Sequence, residues 1–139
     1  MIINPPSAEE RLVAIVDDDA SVRQSARRLI RSLGYTAEAF GSAEEFLDSR
    51  HATKTACLIL DVRMPSVDGL ELQRRLAGSD PSISIVFITA RASEEEERRA
   101  LRAGAVAFLR KPVDKEALLR VLGAVLERSA SSGGNRDDD

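Results

Sequence analysis

The sequence predicts an α/β domain: a doubly wound, parallel five-stranded sheet with helices on both faces. Three observations predict it. Short, continuous apolar runs recur along the 139 residues, among them LVAIV (12–16), ACLIL (56–60) and SIVFI (84–88), rich in the β-branched residues that suit strands covered on both sides. Each run is followed by a segment whose apolar residues recur at three- and four-residue spacing, the period of a helix with one buried face. The polar residues with the most chemical capacity come immediately after the apolar runs.

The first strand is LVAIV, and the helix after it begins at Ala20. Val22, Ala26, Leu29, Ile30 and Leu33 form its apolar face, and Gly34 marks its stop. YTAEAF (35–40) is the second strand, and Ser42 with Glu45 makes an S-x-x-E capping pattern that opens a short helix to about Ser49. ACLIL is the third strand. The helix after it is expected from about Leu70 to Ala77, ended by Gly78 and Pro81. SIVFI is the fourth strand; Ser93 caps a helix through about Ala103, with Gly104 as its stop. VAFL (106–109) is the last strand, and Leu118, Val121, Leu122, Val125 and Leu126 stripe the last helix. Strand–helix alternation with short links requires right-handed crossovers, and the small solution is a flavodoxin-like sheet in the order 2-1-3-4-5. Residues 1–10, with Pro5 and Pro6 and no periodicity, read as a flexible leader, 11–128 as the domain, and 129–139 (SASSGGNRDDD) as a disordered tail or linker.

Composition narrows the function classes. Hydrophobic residues at 43% and charged residues at 31% are a globular balance. A net charge of −3 with 4% aromatic residues provides neither a basic footprint nor stacking platforms, so no nucleic acid is expected to bind this domain alone. No run approaches the length that spans a bilayer and the start of the chain lacks a signal-peptide core, so no membrane is expected and a cytoplasmic location is. The single cysteine, Cys57, lies inside ACLIL and reads as an inert core thiol. No glycine-rich phosphate loop is present.

Position singles out the candidate site. Asp17, Asp18 and Asp19 follow the first strand, Asp61 the third, Thr89 the fourth and Lys111 the fifth. In open parallel sheets the ligand crevice lies beyond the carboxyl ends of the strands, so these side chains can converge. Two carboxylates about 4 Å apart repel by roughly 4 kcal/mol at an effective dielectric near 20, which favours an intervening cation. All-oxygen ligands suit Mg²⁺, Mn²⁺ or Ca²⁺ over zinc, and DDDASV does not fit a calcium EF-hand loop. Each residue also has an ordinary reading: Asp19 as a helix cap, Asp61 as a turn acid before Met64 and Pro65, Thr89 as a strand-end hydroxyl, Lys111 as a solvated amine. The run EEEE (94–97) reads as first-turn acids that complement the helix dipole. Arg98, Arg99 and Arg102 read as a solvated face paired with Glu94 and Glu95, and His51 as a surface residue.

Together VDDD with Asp17 and Asp18, LDVRMPSVDG with Asp61, ITA with Thr89, and FLRKP with Lys111 resemble the response-regulator receiver domain of two-component signalling, the CheY-like superfamily. The resemblance spans about residues 11–128, and RMPSVDG is most similar to receivers that precede helix-turn-helix output domains; none is expected within these residues. It implies that Asp61 accepts a phosphoryl group from the phosphohistidine of a sensor histidine kinase or phosphotransfer protein. It also implies Mg²⁺, with Mn²⁺ as an alternative, held by Asp18, Asp61 and the backbone carbonyl of Arg63, with Asp17 acting through water. Thr89 and Lys111 would contact the phosphoryl oxygens, Thr89 and Phe108 would switch conformation together, and the Lys111–Pro112 bond would be cis. A phosphorylation-dependent homodimer is a further implication. Such a domain is a signalling switch whose only catalysis is its own phosphorylation and dephosphorylation.

Two features depart from the family pattern: ARASEEEE after Thr89, and Val113 where phenylalanine is common. Arg63 and Arg91 stand two places beyond the acceptor and the threonine, where side chains commonly affect dephosphorylation. Two other classes compete. An aspartate-nucleophile phosphohydrolase wants a second aspartate where Arg63 stands. A phosphorylation-independent binding domain would not need the full set of Asp17, Asp18, Asp61, Thr89 and Lys111.

Overall fold

The computed structural model describes residues 12–79 and 82–135, with side chains through residue 126. The 1–10 leader, Pro81 and the last four residues of the tail therefore lie outside the described residues. Five strands, β1 (Leu12–Val16), β2 (Ala37–Phe40), β3 (Thr55–Leu60), β4 (Ser84–Thr89) and β5 (Ala107–Arg110), alternate with helices α1 (Ala20–Ser32), α2 (Ala43–Asp48), α3 (Gly69–Ser79), α4 (Glu94–Arg102) and α5 (Lys115–Asn135). All strand pairs are parallel and the order is β2-β1-β3-β4-β5, as expected.

The continuous apolar strands make sense as period-two elements serving two cores. Ala14, Val16, Leu58, Leu60, Ile85 and Phe87 face Phe46 of α2, Leu72 and Leu76 of α3 and Ala100 of α4. Val13, Ile15, Cys57, Ile59, Val86 and Ile88 face Ile30 of α1 and Leu118, Leu122, Val125 and Leu126 of α5. Helices α1 and α5 thus cover one face and α2, α3 and α4 the other. Each fully buried Leu, Ile or Phe contributes about 1.5–3 kcal/mol, which is why β1, buried at all five positions, can anchor the site above it. Among the described residues no helix is long and apolar enough to cross a membrane.

Local chemistry explains the helix ends. Asp19 caps α1, its Oδ1 accepting from the N–H groups of Ser21 at 2.9 Å and Val22 at 3.3 Å. At α2 the Ser42 hydroxyl accepts from Glu45 N, but the Glu45 carboxylate reaches back one residue further than a capping box would, to Gly41 N at 2.8 Å. A complete box forms instead at α4, between Ser93 and Glu96. Gly34 and Gly104, at φ 95° and 109°, take the left-handed turn that stops a helix. Two helices run past their expected ends. Helix α3 passes through Gly78 to Ser79, and α5 continues to Asn135 with no proline to break it, glycine weakening a helix without ending it.

Candidate functional site at the carboxyl ends of the strands

The parallel order brings the ends of β1 and β3 side by side, with Val16 opposite Leu60. The residues that follow, Asp17 and Asp61, are therefore neighbours although 44 positions apart, and Asp61 N donates to Val16 O at 3.2 Å. Both carboxylates are nearly buried, at 4% and 7% exposure, while Asp18 is exposed. One oxygen from each of Asp17, Asp18 and Asp61 falls within 4.8 Å of the others. Lys111, at the end of β5, lays its Nζ between two of them, 3.0 Å from Asp17 Oδ2 and 3.0 Å from Asp61 Oδ2.

The remaining oxygens are held by backbone. Asp17 Oδ1 accepts from Asp19 N at 2.9 Å and Asp61 Oδ1 from Arg63 N at 3.1 Å. The Arg23 guanidinium donates to Asp17 O at 2.8 Å, tying α1 to the same loop. Burial pushes the Asp17 carboxyl above its usual range, with Asp61 adding to the rise, and the bonds from Asp19 N and Lys111 do not fully offset it. Burial works downward on Lys111, yet its bonds to Asp61 and Asp17 outweigh that and keep its amine charged. Three carboxylates against one ammonium leave negative charge in a half-enclosed place. The donor set is all hard oxygen and open on the Asp18 side, so it fits a hard divalent cation better than a soft one.

Thr89 is fully buried at the end of β4, but its hydroxyl turns into its own loop. Oγ1 donates to Arg91 O at 3.1 Å and accepts from Arg91 N at 3.3 Å. Phe108 is half-buried on β5, its ring 5.7 Å from that of Phe87. The Lys111–Pro112 bond is cis. Beside the acids, a cleft of about 380 Å³ opens between α1 and the start of α5, lined by Val22, Leu29, Ile88, Val113 and Leu118 among others.

A family model for the response regulator receiver domain matches residues 13–123. The chain belongs to the response regulator receiver family. The receiver is 42% identical over 122 residues to nodulation protein W of Bradyrhizobium diazoefficiens, an alignment covering 88% of this chain and 54% of that protein. Among solved structures it is similar to response regulator StyR, at 41% identity and a TM-score of 0.80, covering 92% of this chain and 65% of that one. It is also similar to a response regulator receiver protein from Burkholderia phymatum, at 46% identity and a TM-score of 0.73, covering 84% and 95%. The receiver thus spans about half the length of the curated relatives it matches.

Sequence reasoning missed four residues, three of them near the site and one, His51, away from it. Gly69 lies so close to Asp61 that any Cβ there would strike the Asp61 carbonyl oxygen. Its only signal was the dipeptide DG, which reads equally well as an ordinary turn. Glu96 and Glu97 pair with Arg63 and Arg110, each at 2.8 Å, so half of the EEEE run does more than complement a dipole. His51, expected on the surface, is half-buried with its ring 6.3 Å from that of Phe40.

Proposed function

We propose that this receiver is a phosphorylatable switch in which Asp61 takes a phosphoryl group from the phosphohistidine of a sensor histidine kinase or phosphotransfer protein. The observation that carries the reading is the Asp61 carboxylate itself. It is nearly buried, shared with a charged lysine, and set against two further acids on a strand-end rim. In the reaction an Asp61 oxygen bonds to phosphorus as the P–N bond breaks, and the imidazole leaves with the bonding pair and takes up a proton.

Asp18, Asp61 and the Arg63 backbone carbonyl are the proposed Mg²⁺ ligands, with Asp17 acting through water and Mn²⁺ able to substitute. Bound metal supplies charge neutralisation on the acceptor and transferring oxygens. Lys111 gives up one of its two carboxylate bonds to donate to a phosphoryl oxygen. Thr89 trades the Arg91 carbonyl for another phosphoryl oxygen, and Phe108 moves with it. The domain is read as a switch with no substrate to turn over beyond its own acyl phosphate. The part of the relatives beyond the matched region supports an output carried elsewhere, in a partner or a further segment, and phosphorylation-dependent pairing of two copies in the cytoplasm belongs to the same reading.

The test is incubation with Mg²⁺ and acetyl phosphate, read by intact mass. Wild type is expected to gain one phosphoryl group, lost on chelation of the metal before addition. A phosphoryl group that still appears in Asp61→Asn overturns the assignment.

A further inference from the structure

Of the four glutamates that open α4, Glu94 and Glu95 are exposed, while Glu96 and Glu97 are half-buried and each is taken by an arginine from elsewhere in the fold. Arg63, just after β3, reaches Glu96 Oε1. Arg110, the last residue of β5, does more. Its Nη2 donates to Glu97 Oε1 at 2.8 Å, its Nη1 donates to Ala92 O at 2.8 Å, and its guanidinium carbon lies 5.4 Å from the centre of the Phe108 ring. One side chain therefore joins the ring on β5, the carbonyl of the β4–α4 loop and the first turn of α4.

The other end of that loop is closed by Thr89. Its hydroxyl has one proton, and that proton is spent on Arg91 O. To donate anywhere else Thr89 must give up Arg91 O, one of its two bonds to that loop, and a displacement of the loop would carry Ala92 and the start of α4 with it. Arg110 opposes this with two charge-assisted bonds and a cation–π contact, all made in the present arrangement.

We propose that Arg110 is a latch, a positioning residue that holds the receiver in its resting form by tying Phe108, Ala92 and Glu97 together. The inference rests on the phosphoryl-accepting reading of Asp61 and adds to it what the acceptor must work against. Arg63–Glu96 is a weaker second strap, because Arg63 makes that one bond to α4 where Arg110 adds the Ala92 carbonyl and the Phe108 ring. The latch makes a prediction opposite in sign to that of a merely structural role. Removing Arg110 should lower stability and at the same time tighten binding of a phosphoryl mimic.

The experiment measures the dissociation constant for beryllofluoride at saturating Mg²⁺ by calorimetric titration, in wild type, Arg110→Met, Glu97→Gln and the double variant. Arg110→Met is expected to bind about threefold to tenfold more tightly, and Glu97→Gln about threefold. The double variant is expected to match Arg110→Met, because the Glu97 bond is already lost when Arg110 is replaced. In metal-free protein, amide hydrogen exchange over 90–93 should accelerate in both single variants, a readout independent of the loaded site. Glu97→Gln keeps the side-chain shape and serves if Arg110→Met does not fold. If wild type binds beryllofluoride and the variants bind it equally or more weakly, or the loop exchanges unchanged, the latch is overturned while Asp61 stands. Wild type that binds no better than Asp61→Asn overturns the phosphoryl reading and the latch with it.

Discussion

Replacing Gly69 with alanine tests directly how the acceptor is held. Gly69 opens α3 and donates its N–H to Val62 O at 2.9 Å. A Cβ built on it collides with the Asp61 carbonyl oxygen and comes within 3.0 Å of both the Asp61 carbonyl carbon and Phe87 Cε1. Overpacking costs about 1–3 kcal/mol where side chains can yield. Here the obstacles are main chain at the end of β3 and a fully buried ring, so the upper end applies, about 3 kcal/mol. The better helix propensity of alanine offsets up to about 1 kcal/mol of that. A net loss of about 2–3 kcal/mol, at a urea dependence near 2 kcal/mol per molar, lowers the midpoint by about 1–1.5 M. Because the displaced peptide is that of Asp61, the rate of phosphorylation by acetyl phosphate should fall about tenfold or more. Gly78→Ala is the matched control in the same helix: nothing lies within 4 Å of its new Cβ, and a gain of about 0.5–1 kcal/mol is expected. Urea unfolding followed by circular dichroism reads both. A Gly69→Ala midpoint at or above that of wild type refutes the argument.

Two further predictions follow from the charges and the thiol. Lys111→Ala leaves Asp17 and Asp61, whose side chains are 6% and 9% exposed, without their cation. It should cost about 1–3 kcal/mol in EDTA, and Mg²⁺ should restore more stability to this variant than it adds to wild type. Equal stabilisation by Mg²⁺ in the two proteins would show that Lys111 and the metal do not share a charge. Burial pushes the Cys57 thiol up to about 12 from an ordinary value near 9. Between those values the unfolded chain has lost a proton that the folded chain keeps, so this contribution to stability is complete below pH 9 and falls as pH rises toward 12, by up to about 1.4 kcal/mol per unit. Urea midpoints from pH 8 to 10.5 should therefore fall more steeply in wild type than in Cys57→Ala, and parallel declines would refute the assignment.

The three central strands were legible because each carries its burial pattern locally. LVAIV and CLIL are apolar at every position, and only a strand between two layers needs that. Position then made the site legible, since chemistry placed after such runs must share one rim of the sheet. Less local facts were not. Gln73 reads as one more polar residue on a helix, yet it is 4% exposed and its Nε2 donates to Ala100 O at 3.0 Å, bridging α3 to α4. Nothing in its neighbourhood of sequence announces a partner 27 residues away. Arg110 and Glu97 escaped for the same reason: helix spacing pairs Glu95 with Arg98, which the structure contains at 3.0 Å, but says nothing of a strand end reaching a helix start. Ser66, at φ 67°, is a left-handed residue other than glycine that no residue-type signal marks.

The two acidic runs illustrate why clustered like charges need to be assigned one residue at a time. In DDD, Asp19 caps α1, Asp17 is taken by Lys111 and by Asp19 N, and only the exposed Asp18 keeps its carboxylate for solvent or a ligand. In EEEE, Glu95 pairs within its helix, Glu96 closes a capping box while holding Arg63, and Glu97 holds Arg110. Repulsion along each run is reduced because neighbouring acids point to different partners, among them Lys111 and Arg110 at the end of β5 and Arg63 just after β3. Placing a charge at the Asp18 end of the rim therefore acts on Lys111 through Asp17 and Asp61. Movement of the β4–α4 loop acts on Phe108 through Arg110. Both routes lead to the end of β5, where its last residue Arg110 and the next residue Lys111 are adjacent in sequence, so this strand end is where a change at the acids and a change at α4 would meet.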